Sequence, residues 1–172
     1  MEGVPRYQVR LLPHSPEWER EGKETAAVLA RLLGGNAMDI QHVGSTAIRH
    51  ICAKPILDMA VRVENLATVP ITLLEAAGYV DCGLQHGKST YRLFVMRASD
   101  GRSLRHIHCF DQTDEEFDVL VRFRDHMNAN PEEAKVYEAL KQELVAAHSK
   151  NRAAYSEGKA PYLERINRML AP

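Results

Sequence analysis

Cysteine is scarce in this chain: Cys52, Cys82 and Cys109 are an odd number with no paired spacing. That excludes a disulfide framework and a cysteine-built zinc site, and it suits a reducing compartment. An excess of one charge is missing too. Lys and Arg total 22 against 23 acidic residues, a net charge of -1, so there is no global field to draw a polyanion or an acidic membrane, and no nucleic-acid partner is expected. No stretch approaches the ~20 apolar residues of a membrane span. The first residues interleave Glu2, Arg6, Arg10 and Pro13 with apolar ones, so no signal-peptide hydrophobic region is expected there; the expected location is the cytoplasm. With 8 Pro and 10 Gly the chain is neither fibrous nor disordered, and it carries no internal repeat or flexible linker.

What is present is an ordinary globular composition, 45% hydrophobic over 172 residues, enough for one domain with a real core. Ser15-Pro16-Glu17 starts a helix, with a hydroxyl at the cap and proline where its missing N–H costs nothing. Trp18, Gly22, Thr25, Leu29 and Leu32 mark its inner face, and Gly34-Gly35 ends it. Ile40 to Val43 reads as a short strand. Pro55 to Val63 is the clearest strand: Leu57, Met59, Val61 and Val63 fall on one face, and Ile56, Asp58, Ala60 and Arg62 on the other. Residues 66–77 read as a helix capped by Gly78, Tyr79-Val80 begins a strand, and a polar loop runs from Cys82 to Ser89. Tyr91 to Arg97 and Leu104 to Phe110 form a hairpin around Asp100-Gly101. Thr113 with Glu116, and Asn130-Pro131 with Glu133, look like capped helix starts. The last third then carries two apolar stripes, Tyr137, Leu140, Leu144, Ala147 and Tyr155, Tyr162, Ile166, Met169. Residues 1–112 are expected to form an α/β core and residues 113–172 a helical cover.

The most informative stretch is His42-Val43-Gly44-Ser45-Thr46, followed by Lys54-Pro55-Ile56-Leu57-Asp58. Glycine and serine after a strand let the backbone approach a phosphate and offer N–H and hydroxyl donors, a nearby lysine neutralises charge, and an aspartate on the next strand can hold a bridging cation. By themselves these residues also fit a simple turn, and the Gly-Lys-Ser/Thr ending of a P-loop is absent.

These residues, with Ala47-Ile48, Ala53, His106-Ile107-His108, Phe123-Arg124-Asp125 and Tyr155-Ser156-Glu157-Gly158-Lys159-Ala160-Pro161-Tyr162, resemble the GrpB family of the nucleotidyltransferase superfamily, with its polymerase-β-like fold. The resemblance runs over nearly the whole chain. It implies an α+β fold, a nucleotidyltransferase-like mixed β-sheet with flanking helices and a C-terminal helical segment. It also implies that Gly44, Ser45 and Thr46 cradle nucleotide phosphate and that Asp58 stands where the superfamily places its first metal carboxylate. The second carboxylate, two positions on, is replaced by Ala60, which counts against a site built for two metals.

His106 and His108 are the replacement ligands to consider, since two residues apart on a strand they share a face. The expected cofactor is a divalent metal, Mg²⁺, Mn²⁺ or Zn²⁺; if that face adjoins Asp58, the two nitrogens and one oxygen favour Zn²⁺, Mn²⁺ or Fe²⁺ more than Mg²⁺. Otherwise they are hydrogen-bonded or phosphate-contacting histidines, and His42, His50 and His86 are in the first instance structural or solvated. Lys159 falls on the inward stripe of the last helix at Tyr-x-x-x-Lys spacing, where it either snorkels to solvent or meets an anion. Pro161 is expected to kink or restart that helix. Arg92, Arg122 and Arg124 are weaker phosphate candidates, each in the first instance a solvated or salt-bridged arginine, and His86 with Lys88 between Gly83 and Ser89 is a potential flap. No cysteine has an identifiable base partner.

The leading expectation is an enzyme transferring a nucleotidyl or phosphoryl group from a nucleoside triphosphate to a small-molecule acceptor. Asp58 would be metal ligand and catalytic carboxylate, Gly44, Ser45 and Thr46 the phosphate cradle, and Lys54, Lys159 and Arg92 the neutralising cations. The rivals are a nucleotide- or anion-binding protein with reduced catalysis, and a metal-dependent enzyme of another class using Asp58, His106 and His108.

Overall fold

The computed structural model describes residues 1–5 and 7–171. Helix α1 (Pro16–Leu33) begins as expected, with the Ser15 hydroxyl accepting from the Glu17 N–H, and ends at Gly34, whose φ of 56° reverses the chain. Its buried residues are Trp18, Gly22, Thr25, Leu29 and Leu33, so the stripe closes on Leu33 instead of Leu32. Strands β1 (Ala37–Val43), β2 (Leu57–Val63), β3 (Tyr79–Leu84), β4 (Tyr91–Arg97) and β5 (Ser103–Asp111) form one mixed sheet in the order β1-β2-β5-β4-β3. Only β2 and β5 run parallel; the other neighbours are antiparallel. Helices α2 (Ile71–Ala76), α3 (Glu116–Ala129), α4 (Pro131–His148) and α5 (Arg152–Met169) complete the chain.

The alternation along β2 sorts the molecule into two faces. Leu57, Met59, Val61 and Val63 bury against Leu29 and Leu33 of α1, Leu74 of α2, and Phe94, Ile107 and Cys109 of the same sheet face. Each such buried side chain contributes roughly 1.5–3 kcal/mol, which pins the register of β2. A one-residue slip would turn this whole set outward. The opposite face carries Ala60, Tyr91 and Phe110 under Phe117 of α3, so it is covered toward one end and leaves Asp58 at the edge of the cover.

Several local expectations give way to the structure. The single helix over residues 66–77 is instead a short turn, Leu66–Thr68, followed by α2. Pro70 divides them because it forces Val69 into extended backbone. The polar loop begins later than expected, since β3 extends through Leu84. At the start of α3 it is Asp114, not Thr113, whose carboxylate accepts from the Glu116 N–H at 3.0 Å. The Asn130 side chain turns back to donate to the His126 carbonyl at 2.8 Å and closes α3, and does not cap α4. In α4 the buried stripe is Ala134, Tyr137 and Lys141, while Ala147 is exposed. Met169 is exposed as well. Pro161 does not restart α5; it sits on the exposed side of one continuous helix, where solvent can replace the lost backbone hydrogen bond.

Among the described residues no helix is long and apolar enough to cross a membrane.

Candidate active site

The segment between β1 and β2 is the scaffold of the site. Gly44 has φ 70° and ψ −174°, a conformation that only glycine adopts readily. A Cβ there would stand 2.5 Å from Oδ2 of Asp58, so the glycine is required twice, for its torsion and for its closeness to the carboxylate. The loop is clamped from three sides. Thr46 is buried and its hydroxyl donates to the Ile56 carbonyl at 3.3 Å and meets Nε2 of His42 at 2.9 Å. Arg124 of α3 donates to the His42 carbonyl at 2.8 Å, and Asn128 donates to the Ala47 carbonyl at 3.0 Å. Further along, Glu138 of α4 accepts from the Cys52 N–H at 2.5 Å, and buried Lys141 donates to the Cys52 carbonyl.

On the sheet, Asp58 pairs in register with His106 and Ala60 with His108. Strand alternation therefore sets both imidazoles beside one carboxylate. Nδ1 of His106 lies 3.1 Å and Nε2 of His108 3.5 Å from Oδ1 of Asp58. The three donor atoms lie within 4.8 Å of one another. A tetrahedral ion with bonds of ~2.0 Å has ligand-to-ligand edges of about 3.3 Å, so the carboxylate–imidazole spacings fit one divalent ion. The Tyr91 hydroxyl meets Nδ1 of His108 at 2.7 Å, the kind of outer contact that fixes a ligand ring. Burial pushes the Asp58 carboxyl up, but hydrogen bonds from His106 and His108 outweigh it and hold the group below the ordinary carboxylate range. Position 60 offers nothing to a second ion: Ala60 is fully buried in the apolar cluster.

A cavity of about 260 Å³ opens beside Asp58, and its lining includes Gly44, Ser45, Lys54, His106, Arg152, Tyr155 and Lys159. The ammoniums of Lys54 and Lys159 lie 5.3 and 4.9 Å from the Tyr155 ring centroid, inside cation–π range. Burial, then the charges of Lys159 and Arg152, pull Lys54 down to about 7. Burial likewise lowers Lys159, against the pull of Asp58. Behind them Lys141, 1% exposed, lies 4.8 Å over the Tyr137 ring and is drawn down to about 7 by burial and then by Lys159. Buried cations gathered around one cavity are costly unless anions join them.

Of the residues expected from sequence, the fold brings together Gly44, Ser45, Lys54, Asp58, His106 and Lys159 around this cavity, with His108 against Asp58. Thr46 is near but does not line it; its hydroxyl is spent on the loop. Arg92 is placed elsewhere. It alternates onto the face of Phe94 and Cys109 and forks onto Asp81 at 3.0 and 2.8 Å, so the sheet itself separates it from Asp58. Arg124 likewise serves the backbone of the loop. His86 and Lys88 line an adjoining groove of about 370 Å³ that shares Gly44, Asp58, Glu116 and Leu120 with the first; Lys88 is held 3.6 Å from Asp114. Cys109 is buried and pushed up to about 12, which removes it as a nucleophile. Sequence reading missed Glu116, Arg152, Asn167 and the aromatic wall of Tyr137 and Tyr155, which line the cavity, and Lys141 behind it. Their only signal was the inward stripe that placed Tyr137 and Tyr155 in the core.

The comparisons with known proteins agree with this architecture. The sequence model of the family described as "GrpB protein" matches residues 8–169. The chain belongs to the GrpB family. The glutamate-rich protein GrpB of Alkalihalophilus pseudofirmus is 33% identical over 172 residues, covering 96% of this chain and 98% of that protein. The UPF0157 protein YqkA of Bacillus subtilis is 28% identical over 162 residues, covering 93% of this chain but 46% of YqkA. The crystal structure of GrpB from Enterococcus faecalis superposes with a TM-score of 0.85 at 27% identity, covering 94% of this chain and 96% of that one. The mixed sheet, flanking helices and C-terminal helical segment agree with the α+β architecture expected from the sequence.

Proposed function

We propose that this protein transfers a nucleotidyl or phosphoryl group from a nucleoside triphosphate to a small-molecule acceptor. One observation carries the reading: Gly44, Ser45, Lys54, Arg152 and Lys159 line the same cavity as Asp58. Backbone and hydroxyl donors from Gly44-Ser45, with the lysines and Arg152, form a charge-complementary cradle for a polyphosphate, already organised before the anion arrives. The buried lysines explain why an anion is wanted. Burial disfavours the charged form of each, and a polyphosphate beside them would offset that cost.

Asp58, His106 and His108 would hold a divalent ion beside this cradle. That ion would neutralise charge on the transferring phosphate, and a two-nitrogen, one-oxygen donor set suits Zn²⁺, Mn²⁺ or Fe²⁺ better than Mg²⁺. The adjoining groove is also lined by Asp58, which would give a small acceptor its own approach to the reacting end of the donor.

Label transfer tests the proposal. The protein is incubated with metal and triphosphate labelled in the α or the γ phosphate, together with a pool of small metabolites. Transfer of the α label identifies nucleotidyl transfer, and transfer of the γ label phosphoryl transfer. Asp58→Asn should reduce transfer at least ~100-fold, and His106→Ala/His108→Ala should lose the metal by elemental analysis. Full activity in Asp58→Asn would place the reaction elsewhere. A second reading is favoured by buried Ala60, which removes the strand's second carboxylate: a nucleotide-binding protein with reduced catalysis. It gives triphosphate-dependent thermal stabilisation with no label transferred.

A further inference from the structure

The cavity and the adjoining groove share four lining residues: Gly44, Asp58, Glu116 and Leu120. A transfer that begins with attack by a hydroxyl gains from a base placed where donor and acceptor meet, and of these four side chains two can take a proton. Asp58 is already committed. Its Oδ1 has the imidazoles of His106 and His108 at 3.1 and 3.5 Å, and in the donor reading it holds the ion. That leaves Glu116, the first residue of α3. With Val119, Leu120 and Phe123 it lines the cavity at the three- and four-residue spacing of one helix face, and it is the one charged group on that stripe. The acids around it are engaged. Asp114 accepts from the Thr90 hydroxyl at 2.6 Å and stands 3.6 Å from Lys88, and Asp118 pairs with Arg62 at 2.6 Å. The Glu116 backbone N–H donates to Asp114 at 3.0 Å, which fixes the residue, while no hydrogen bond or ion pair takes up its carboxylate among the described residues.

We infer that Glu116 is a further catalytic residue, the general base that takes the proton of an acceptor hydroxyl seated in the groove. This rests on the donor reading above. As the acceptor oxygen bonds to phosphorus, its proton moves to a carboxylate oxygen of Glu116. The bond from phosphorus to the leaving oxygen breaks, and its electron pair departs with pyrophosphate in nucleotidyl transfer or with the nucleoside diphosphate in phosphoryl transfer. Glu116 is exposed, so the proton passes on to solvent and the carboxylate is restored. The groove offers the acceptor the rings of Tyr91 and Phe110, stacked with centroids 4.7 Å apart, and the polar side chains of His86 and Lys88.

The test is the label-transfer assay on the full chain, with the pool of small metabolites as acceptor and Mn²⁺ present. Glu116→Gln and Glu116→Ala should lower the initial rate at saturating triphosphate at least ~100-fold. Metal content, and the Kd of an α,β-methylene triphosphate analogue measured by calorimetry without acceptor, should stay at the wild-type values. Glu115→Gln, at an exposed neighbour that lines neither hollow, should transfer as wild type. Formate, a small carboxylate able to enter the gap left by alanine, should restore part of the rate lost in Glu116→Ala and none of that lost in Asp58→Asn. Wild-type rates in Glu116→Gln, a loss matched by weaker analogue binding, or a loss that formate does not restore would each overturn the base assignment while leaving the donor reading intact. No transfer by the wild-type protein would overturn both.

Discussion

Replacing Gly44 by alanine should damage both the fold and the site, and the structure separates the two costs. The first is torsional. At φ 70° and ψ −174° an alanine sits in a region nearly closed to side-chain-bearing residues, a cost of about 1–3 kcal/mol. The second is steric. The new Cβ would meet Oδ2 of Asp58 at 2.5 Å and Cβ of Asp58 at 3.0 Å, and forcing a methyl into such a contact adds about 1–3 kcal/mol. Together they predict a loss of roughly 2–6 kcal/mol, read as a shift of the urea midpoint at constant slope. Gly101→Ala is the control. Gly101 also has positive φ, 83°, but nothing lies within 4 Å of its Cβ position, so it should pay only for the torsion. Relief of the clash would move the Asp58 carboxylate away from His106 and His108. The Gly44 variant should therefore also lose metal affinity at least ~10-fold, the scale of a disturbed ligand contact, by competition with a chelating dye, whereas Gly101→Ala should bind as wild type. If Gly44→Ala were no less stable than Gly101→Ala and bound metal normally, the close approach of backbone and carboxylate would not be what shapes this site.

Two further substitutions probe the charges. Lys141 is buried and drawn from 10.5 down to about 7, so between those values the unfolded chain holds a proton that the folded one lacks and stability rises with pH. Lys141→Met removes a charge costing on the order of 4–5 kcal/mol below pH 7 but leaves the Cys52 carbonyl without its donor, about 1–3 kcal/mol. The variant should be more stable than wild type at pH 6 and less stable at pH 10; parallel urea stability curves across that range would refute the assignment. Arg92→Ala, on the opposite sheet face, should cost about 1 kcal/mol through the lost Asp81 pair and leave nucleotide affinity unchanged; a loss of triphosphate binding in calorimetry would return Arg92 to the site.

Much of the scaffold was legible because it is local. The cap at Ser15, the two-residue period of β2, the hairpin at Asp100-Gly101 and the shared face of His106 and His108 follow from torsional preference and repeat length alone. Local pattern failed where neighbours compete for the same backbone groups. Asp114 took the cap offered by Thr113, Asn130 turned back to α3, and Pro70 divided an apparent helix.

For the site, sequence determined the chemistry of its two strands, Asp58 on β2 and the histidine pair on β5, together with the glycine that lets the loop approach them. Strand pairing decided that they meet, because β2 and β5 are separated by two intervening strands and only their parallel register sets Asp58 beside His106 and His108. Helix packing decided the rest. Glu116, Lys141, Arg152 and Asn167 come from α3, α4 and α5 and look in sequence like an ordinary capping acid, a surface lysine, a solvated arginine and a polar helix residue. Their inward placement follows from how the helices cover the sheet, a consequence of long-range burial that no local pattern records. Arg92 shows the converse. It stood on a plausible strand, and the sheet's alternation turned it to the other face.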